Sequence, residues 1–164
     1  MTDMPGEVTV EGSGATITFE RTIDAPQERV WRLLTDPDSL ASWLAPARLD
    51  PRPGGEIEID FGEEGGPVVG HITELEAPRR LAYTWRSAGE HESVVEWELH
   101  PHGEQTRLTL VHRALPETMS RGYGAGWHAH LGRLAAVVEG DPAPAWEPLF
   151  EAALPLYPAA GGSD

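Results

Sequence analysis

The sequence predicts an α+β domain, an antiparallel β-sheet gripped by one long C-terminal α-helix. Three observations predict it. A β-patterned run over residues 16–23 breaks at Asp24-Ala25-Pro26 into an amphipathic segment carrying Val30, Trp31, Leu33 and Leu34. Far downstream, Gly126-Trp127-His128-Ala129-His130-Leu131 opens a second helix that ends before Gly140. From Arg52 to Arg113 the pattern is of strands and turns alone. A sheet held by one helix encloses a cavity more readily than a solid core, so the pattern points to a small-molecule binder.

The elements follow in order. Residues 1–14 are polar and Gly-rich and read as a flexible N-terminus. Residues 15–23 alternate as a strand. Asp24 is placed to cap the next helix, with Gln27 as its reciprocal partner and Pro26 in the first turn. Val30, Leu33 and Leu34 share one helical face, and Pro37, which lacks an amide donor, interrupts the helix. Residues 39–44 make a short second helix with Leu40, Trp43 and Leu44 on one side. Arg52-Pro53-Gly54-Gly55 is a turn. Residues 56–61 then alternate strictly, with acids to water and Ile57, Ile59 and Phe61 inward. Residues 62–67 read as a loop and 68–75 as a strand. Beyond a turn at Pro78, Leu81, Tyr83 and Trp85 share a face.

After a turn over 87–90, Val95, Trp97 and Leu99 alternate with Glu96, Glu98 and His100. Pro101-His102-Gly103-Glu104 turns the chain again, and Thr106, Leu108, Leu110 and His112 then line one face. Strands joined by short turns are the mark of an antiparallel meander. Residues 114–120 lead to the final helix, where Tyr123, Trp127, His130, Leu131, Leu134 and Val138 fall within one stripe. Gly140 stops it. The tail, 141–164, is rich in Pro and Ala, and Trp146, Leu149, Phe150 and Leu154 fit one more short amphipathic helix. Neither an internal repeat nor a second domain is visible, so the domain spans 15–140.

Composition removes several chemistries. The chain has 164 residues and no cysteine, which excludes disulfides, thiolate catalysis and thiolate metal sites and fits a reducing, cytoplasmic setting. Arginine supplies all 12 basic residues, and the net charge is −15. Such a field repels phosphate backbones and anionic lipid, so nucleic acid is not an expected partner. With no lysine, a Schiff base and a Lys-dependent phosphate loop are also excluded. The acidity itself has two readings, solubility or a face for a basic partner. No apolar run approaches the ~20 residues of a membrane span, so no membrane insertion is expected, and the N-terminus lacks the pattern of a secretory signal.

Metal and hydrolytic readings fare no better. His128 and His130 lie two apart on a helix and diverge by roughly 160°, where zinc-binding helical pairs are spaced by four. No serine lies in a Gly-x-Ser-x-Gly elbow. Gly122-x-Gly124-x-Gly126 lacks dinucleotide-binding spacing and reads as a close approach to the sheet or a loosened helix entrance. Glu56, Glu58, Glu63 and Glu64 read as solvated acids. Neither metal nor cofactor is expected, and no catalytic set stands out.

Five motifs in order carry a family resemblance: Arg21-x-Ile23-x-Ala25-Pro26-x-x-x-Val30-Trp31; Thr35-Asp36-Pro37 with Trp43; Arg52-Pro53-Gly54-Gly55; Pro78-x-x-Leu81-x-x-x-Trp85; and Gly126-Trp127-x-x-x-Leu131-x-x-Leu134. Over residues 15–140 the chain resembles the SRPBCC or START-like superfamily, within it the branch of the activator of heat shock protein 90 ATPase. The resemblance implies a helix-grip fold. This is a curved antiparallel β-sheet wrapped around a long C-terminal α-helix, with two short helices after the first strand and a deep apolar cavity between helix and sheet. Members include lipid and hormone binders, polyketide aromatases and cyclases, and co-chaperone domains.

The expected ligand-binding residues are aromatic: Trp43, Phe61, Tyr83, Trp85, Trp97, Tyr123 and Trp127. Leu110 and Leu131 share their faces. Ordinary core packing is the rival role for each, and the resemblance favours Trp127 for the cavity wall. A dry cavity of ~300 Å³ costs about 7 kcal/mol at ~24 cal/mol per Å³, against a domain stability of ~5–15 kcal/mol. It must therefore be collapsed, wet or occupied. His112, His130 and the hydroxyls of Tyr83 and Tyr123 are the candidates for polarity inside it.

The expected function is binding of a small hydrophobic, aromatic or lipid-like molecule. The alternatives are a cyclase or aromatase using His112, His130 or Tyr123 as general acid or base, and a co-chaperone or stress-response interaction module. A chaperone partner ranks last, and a homodimer through a sheet edge or the tail helix stays open.

Overall fold

The computed structural model describes residues 5–12, 14–87 and 89–157. Eight strands form one antiparallel sheet in the order β1-β2-β8-β7-β6-β5-β4-β3. They are β1 (Glu7–Glu11), β2 (Gly14–Ile23), β3 (Ala47–Leu49), β4 (Glu56–Asp60), β5 (Pro67–Glu76), β6 (Arg80–Ser87), β7 (Ser93–His102) and β8 (Gln105–Pro116). The helices are α1 (Gln27–Thr35), α2 (Pro37–Trp43), α3 (Gly62–Gly65), α4 (Ser120–Val138) and α5 (Trp146–Ala153). Strands β4 to β8 form the meander, and β2 pairs with β8, so the first and last long strands lie side by side.

Alternation sets the inner face. Ile17, Phe19, Leu81, Val95, Trp97, Leu99, Leu108 and Leu110 are buried, while most of the residues between them are half-buried or exposed on the other face. On the outer face Arg80 reaches Glu74, Glu96 and Glu98, a ladder across β5, β6 and β7. Register slips in β8, where Arg113 and Ala114 stand opposite a single residue of β2, and Ala114 has a φ of 64°. Bulges of this kind bend a strand and re-aim its neighbours. This one directly follows His112 and turns the chain toward α4.

Several local expectations are corrected. The capping box at α1 does not form: Pro26 is the N-cap, with no side-chain cap. Gln27 instead donates to the carbonyls of Pro78 and Leu99, both at 3.2 Å, pinning α1 to the sheet. The cap that forms is Asp36, which accepts from the Ser39 amide at 3.0 Å to start α2. Residues 62–65, read as loop, make the single turn α3. Within the stretch read as a flexible N-terminus, residues 7–11 pair with β2. Their pattern is weak because all but Val8 are exposed, so no apolar face marks the strand. Residues 1–4 and 158–164, the outer ends of the two expected terminal segments, lie outside the described residues.

The long helix starts at Ser120, six residues before the predicted Gly126. Glycine is a poor helix former, which hides the first turns from propensity reasoning. The glycines earn their place by what lies over them. A Cβ on Gly124 would sit 2.7 Å from Cδ1 of Tyr157, one on Gly126 3.7 Å from Trp146, and one on Gly132 3.7 Å from Leu149. They therefore seat the tail, not the sheet. Arg133 ties the tail down, donating to Pro144 O at 2.9 Å and to Trp43 O at 2.8 Å. The Tyr157 hydroxyl accepts from the Gly6 amide at 2.7 Å and meets His128 Nδ1 at 3.1 Å.

Candidate functional site

Part of the space between sheet and α4 is solid. Trp43 is fully buried and donates from Nε1 to Leu33 O at 2.8 Å, locking α2 on α1. Its ring meets Trp97 edge-on at 6.1 Å, and Trp97 meets Trp127 at 5.6 Å. Trp97 Nε1 donates to the Tyr83 hydroxyl at 3.0 Å. Burial, the larger influence, holds the Tyr83 hydroxyl protonated far into the alkaline range. Leu110 and Leu131 close the same layer.

Another part is open. A cavity of about 860 Å³ lies among the glycine-bearing turns of α4, the segment from Leu44 to Pro46, the start of β5 and the tail. Its volume falls within the ~300–1,000 Å³ of small-molecule sites. The cavity is partly open to solvent, so water enters it whenever a ligand does not.

Of the expected residues, Phe61, Trp85, Tyr123, Trp127 and His130 line this cavity. Trp43, Tyr83, Trp97, Leu110, His112 and Leu131 do not. The reason is physical: strand and helix periodicity say which side chains point inward, and three indoles then fill the interior beneath the middle of α4. The void is left where Gly122 and Gly126 supply no side chain. Residues outside the expectation complete the wall: Leu44, Val68 and Met119, and above all Trp146 and Phe150 of α5. The signal for these two was present in the amphipathic pattern of the tail taken together with the glycines of α4.

Trp85 lies at the centre of the wall, its ring 5.3 Å from Trp127, 5.4 Å from His112 and 5.9 Å from Phe61. Its Nε1 donates to the Tyr123 hydroxyl at 3.0 Å, which in turn donates to Glu90 at 2.8 Å. Burial, with Glu90 beside it, raises the Tyr123 hydroxyl above its ordinary pKa.

His112 stands one layer behind. Trp127 Nε1 donates to His112 Nδ1 at 2.9 Å, so the ring's proton sits on Nε2, facing Ser93 Oγ at 2.8 Å. Ser93 passes its own hydrogen to Trp85 O at 3.2 Å. Every donor in this chain has an acceptor. Burial lowers the His112 pKa to about 3, which keeps the ring neutral.

His130 differs. Its ring lies among Phe61 at 5.5 Å, Trp146 at 5.6 Å and Trp127 at 5.7 Å. Burial, aided by the charge of Arg133, lowers its pKa to about 3. Nδ1 of His130 and Nε1 of Trp146 are sealed from solvent without a hydrogen-bond partner. Leaving such groups unsatisfied costs roughly 1–3 kcal/mol each. Asp60 and Glu90 are the acids of the lining and Arg133, spent on two carbonyls, its base. Among the described residues no three His, Asp or Glu side chains gather as a metal site.

A curved sheet gripped by a helix, with an aromatic cavity between them, defines a helix-grip protein of the SRPBCC, START-like class, a superfamily of ligand-binding modules. More narrowly, the chain belongs to the family described as Activator of Hsp90 ATPase homolog 1-like protein, which it matches over residues 24–139. The tail that supplies Trp146 and Phe150 lies beyond that match.

Solved structures share the fold. CalU16 from Micromonospora echinospora is 29% identical with a TM-score of 0.76, covering 93% of this chain and 92% of its own. The product of gene BPP1335 of Bordetella parapertussis is 32% identical with a TM-score of 0.71, covering 90% and 86%. DynU16, a protein of the dynemicin biosynthetic locus, is 28% identical with a TM-score of 0.72, covering 79% of this chain and 49% of its own. Among curated proteins, uncharacterized protein C1711.08 of Schizosaccharomyces pombe is 28% identical over 106 residues, 62% of this chain. The chain spans about a third of that relative's length, 30%. No helix among the described residues is long and apolar enough to cross a membrane.

Proposed function

We propose that the protein binds a small hydrophobic, aromatic or lipid-like molecule in the cavity beneath the first turns of α4. The carrying observation is the 860 Å³ space walled by the aromatic rings of Phe61, Trp85, Tyr123, Trp127, Trp146 and Phe150. Tyr123 and His130 are the polar contacts, and Trp127 and Trp85 the apolar wall. Both ring nitrogens of His112 are engaged within the protein, so its role is to hold Trp127 in place.

Gly122 supplies the test. It lines the cavity, and a Cβ there would meet nothing within 4 Å. Gly122→Leu fills the void while stabilising the helix by roughly 1 kcal/mol. Lipids, flavonoids and polyketides that raise the melting temperature of the unaltered protein will fail to raise that of the variant. The proposal fails if no member of these classes shifts the unaltered protein, or if the variant responds equally.

A further inference from the structure

Trp146 and His130 present an arrangement that the cavity's size does not explain. Both line it, their rings lie 5.6 Å apart and tilted by 36°, and each holds a buried nitrogen without a partner. The Trp146 nitrogen is a donor only. No described group bonds the His130 ring, and so deep a site keeps it neutral, with one nitrogen free to accept. Donor and acceptor therefore belong to neighbouring rings of an aromatic wall that continues through Phe61, 5.5 Å from His130, and Phe150, stacked on Trp146 at 4.6 Å; both nitrogens are closed off, so a ligand in the cavity reaches them only by opening the contact between α5 and α4. Trp146 rides on a helix that packs over glycines, Gly126 beneath Trp146 itself and Gly132 beneath Leu149, with Pro144 before it held by Arg133.

Charge narrows the choice of ligand. The acids Asp60 and Glu90 line the same cavity, and Arg133 bonds the carbonyls of Pro144 and Trp43. A carboxylate or phosphate would enter against two like charges within a chain of net charge −15. A hydroxyl on a flat ring matches the pair: its oxygen accepts from Trp146 Nε1 and its hydrogen goes to His130.

We propose that α5 is part of the ligand site, and that the cavity takes an uncharged flat aromatic molecule whose phenolic hydroxyl bridges Trp146 and His130. This rests on the reading of the cavity as a ligand site and adds to it the class of ligand and the residues that select it.

The test is calorimetric titration of the full chain with four probes: 2-naphthol, 2-methoxynaphthalene, 2-methylnaphthalene and 2-naphthoate. 2-Naphthol should bind about fivefold tighter than its methyl ether, the worth of one hydrogen bond, and 2-naphthoate more weakly than either. His130→Leu should abolish the difference between naphthol and ether. Trp146→Phe, which keeps a ring but loses the donor, should weaken both about fivefold and leave 2-methylnaphthalene unchanged. If all the probes bind alike, or neither variant alters their ranking, the bridging pair is refuted while the cavity reading stands. If no naphthalene binds the unaltered protein, the aromatic ligand class is refuted, and the thermal-shift panel of lipids, flavonoids and polyketides decides the cavity reading separately. The ranking on the unaltered chain needs no variant to fold.

Discussion

Gly124 and Tyr157 make a contact whose energetic sign is predictable. In an open helix, Gly→Ala stabilises by about 1 kcal/mol. Here the added methyl would lie 2.7 Å from Cδ1, 2.9 Å from Cε1 and 3.1 Å from Cγ of Tyr157. That ring cannot swing away freely, because its hydroxyl is held by the Gly6 amide and His128. Overpacking of this kind costs ~1–3 kcal/mol, so Gly124→Ala should destabilise by about 1 kcal/mol net. Tyr157→Ala alone should cost about 3 kcal/mol, since the ring is buried. In the Tyr157→Ala background the obstacle is gone, and Gly124→Ala should now stabilise by about 1 kcal/mol. The coupling of roughly 2 kcal/mol exceeds the ~0.5 kcal/mol scatter of independent sites. Urea unfolding of the four proteins, followed by tryptophan fluorescence, measures it. If Gly124→Ala shifts both backgrounds by the same amount and sign, the tail does not sit on that glycine.

Two further outcomes follow from groups already placed. The pKa values of His112 and His130, both lowered by burial to about 3, lie below the unfolded 6.5. The unfolded chain alone takes up their protons between these values, so stability is full above pH 6.5 and falls as pH drops toward 3. Each ring contributes up to ~1.4 kcal/mol per pH unit; thermal melts from about pH 8 to about pH 4.5 should show the decline, and His130→Leu should make it shallower. Gln27→Ala removes both bonds to Pro78 and Leu99 and should cost about 1–2 kcal/mol in urea unfolding, with Asp24→Ala near neutral. Equal losses would reinstate a capping box.

What the sequence made legible is whatever alternation and spacing encode. Ile57, Ile59, Trp97 and Leu108 announce their buried side by period alone, and Asp36-Pro37 announces a helix boundary. Which part of the interior is filled is a different matter. Trp43 and Trp127 both read as inward, yet one is walled in by α1 and the other borders open space, a distinction set by how three indoles nest across elements far apart in sequence. The tail shows the same limit. The pattern of Trp146, Leu149 and Phe150 predicts a helix, and its partner surface is the glycines that propensity reads as helix breakers. β1 escaped notice because four of its five residues are exposed and leave no apolar face, and β3 because three residues are too few to show alternation.

Those two strands govern what the molecule refuses. An open sheet offers unpaired amides and carbonyls at each border, the usual route to strand addition between copies. At one border β3 is only three residues long and carries exposed Arg48. At the other, β1 reads Glu-Val-Thr-Val-Glu. Two copies pairing there in antiparallel register about Thr9 would set Glu7 of each against Glu11 of the other, and like charges directly opposite are destabilising. In that register the palindrome of acids repels its own image.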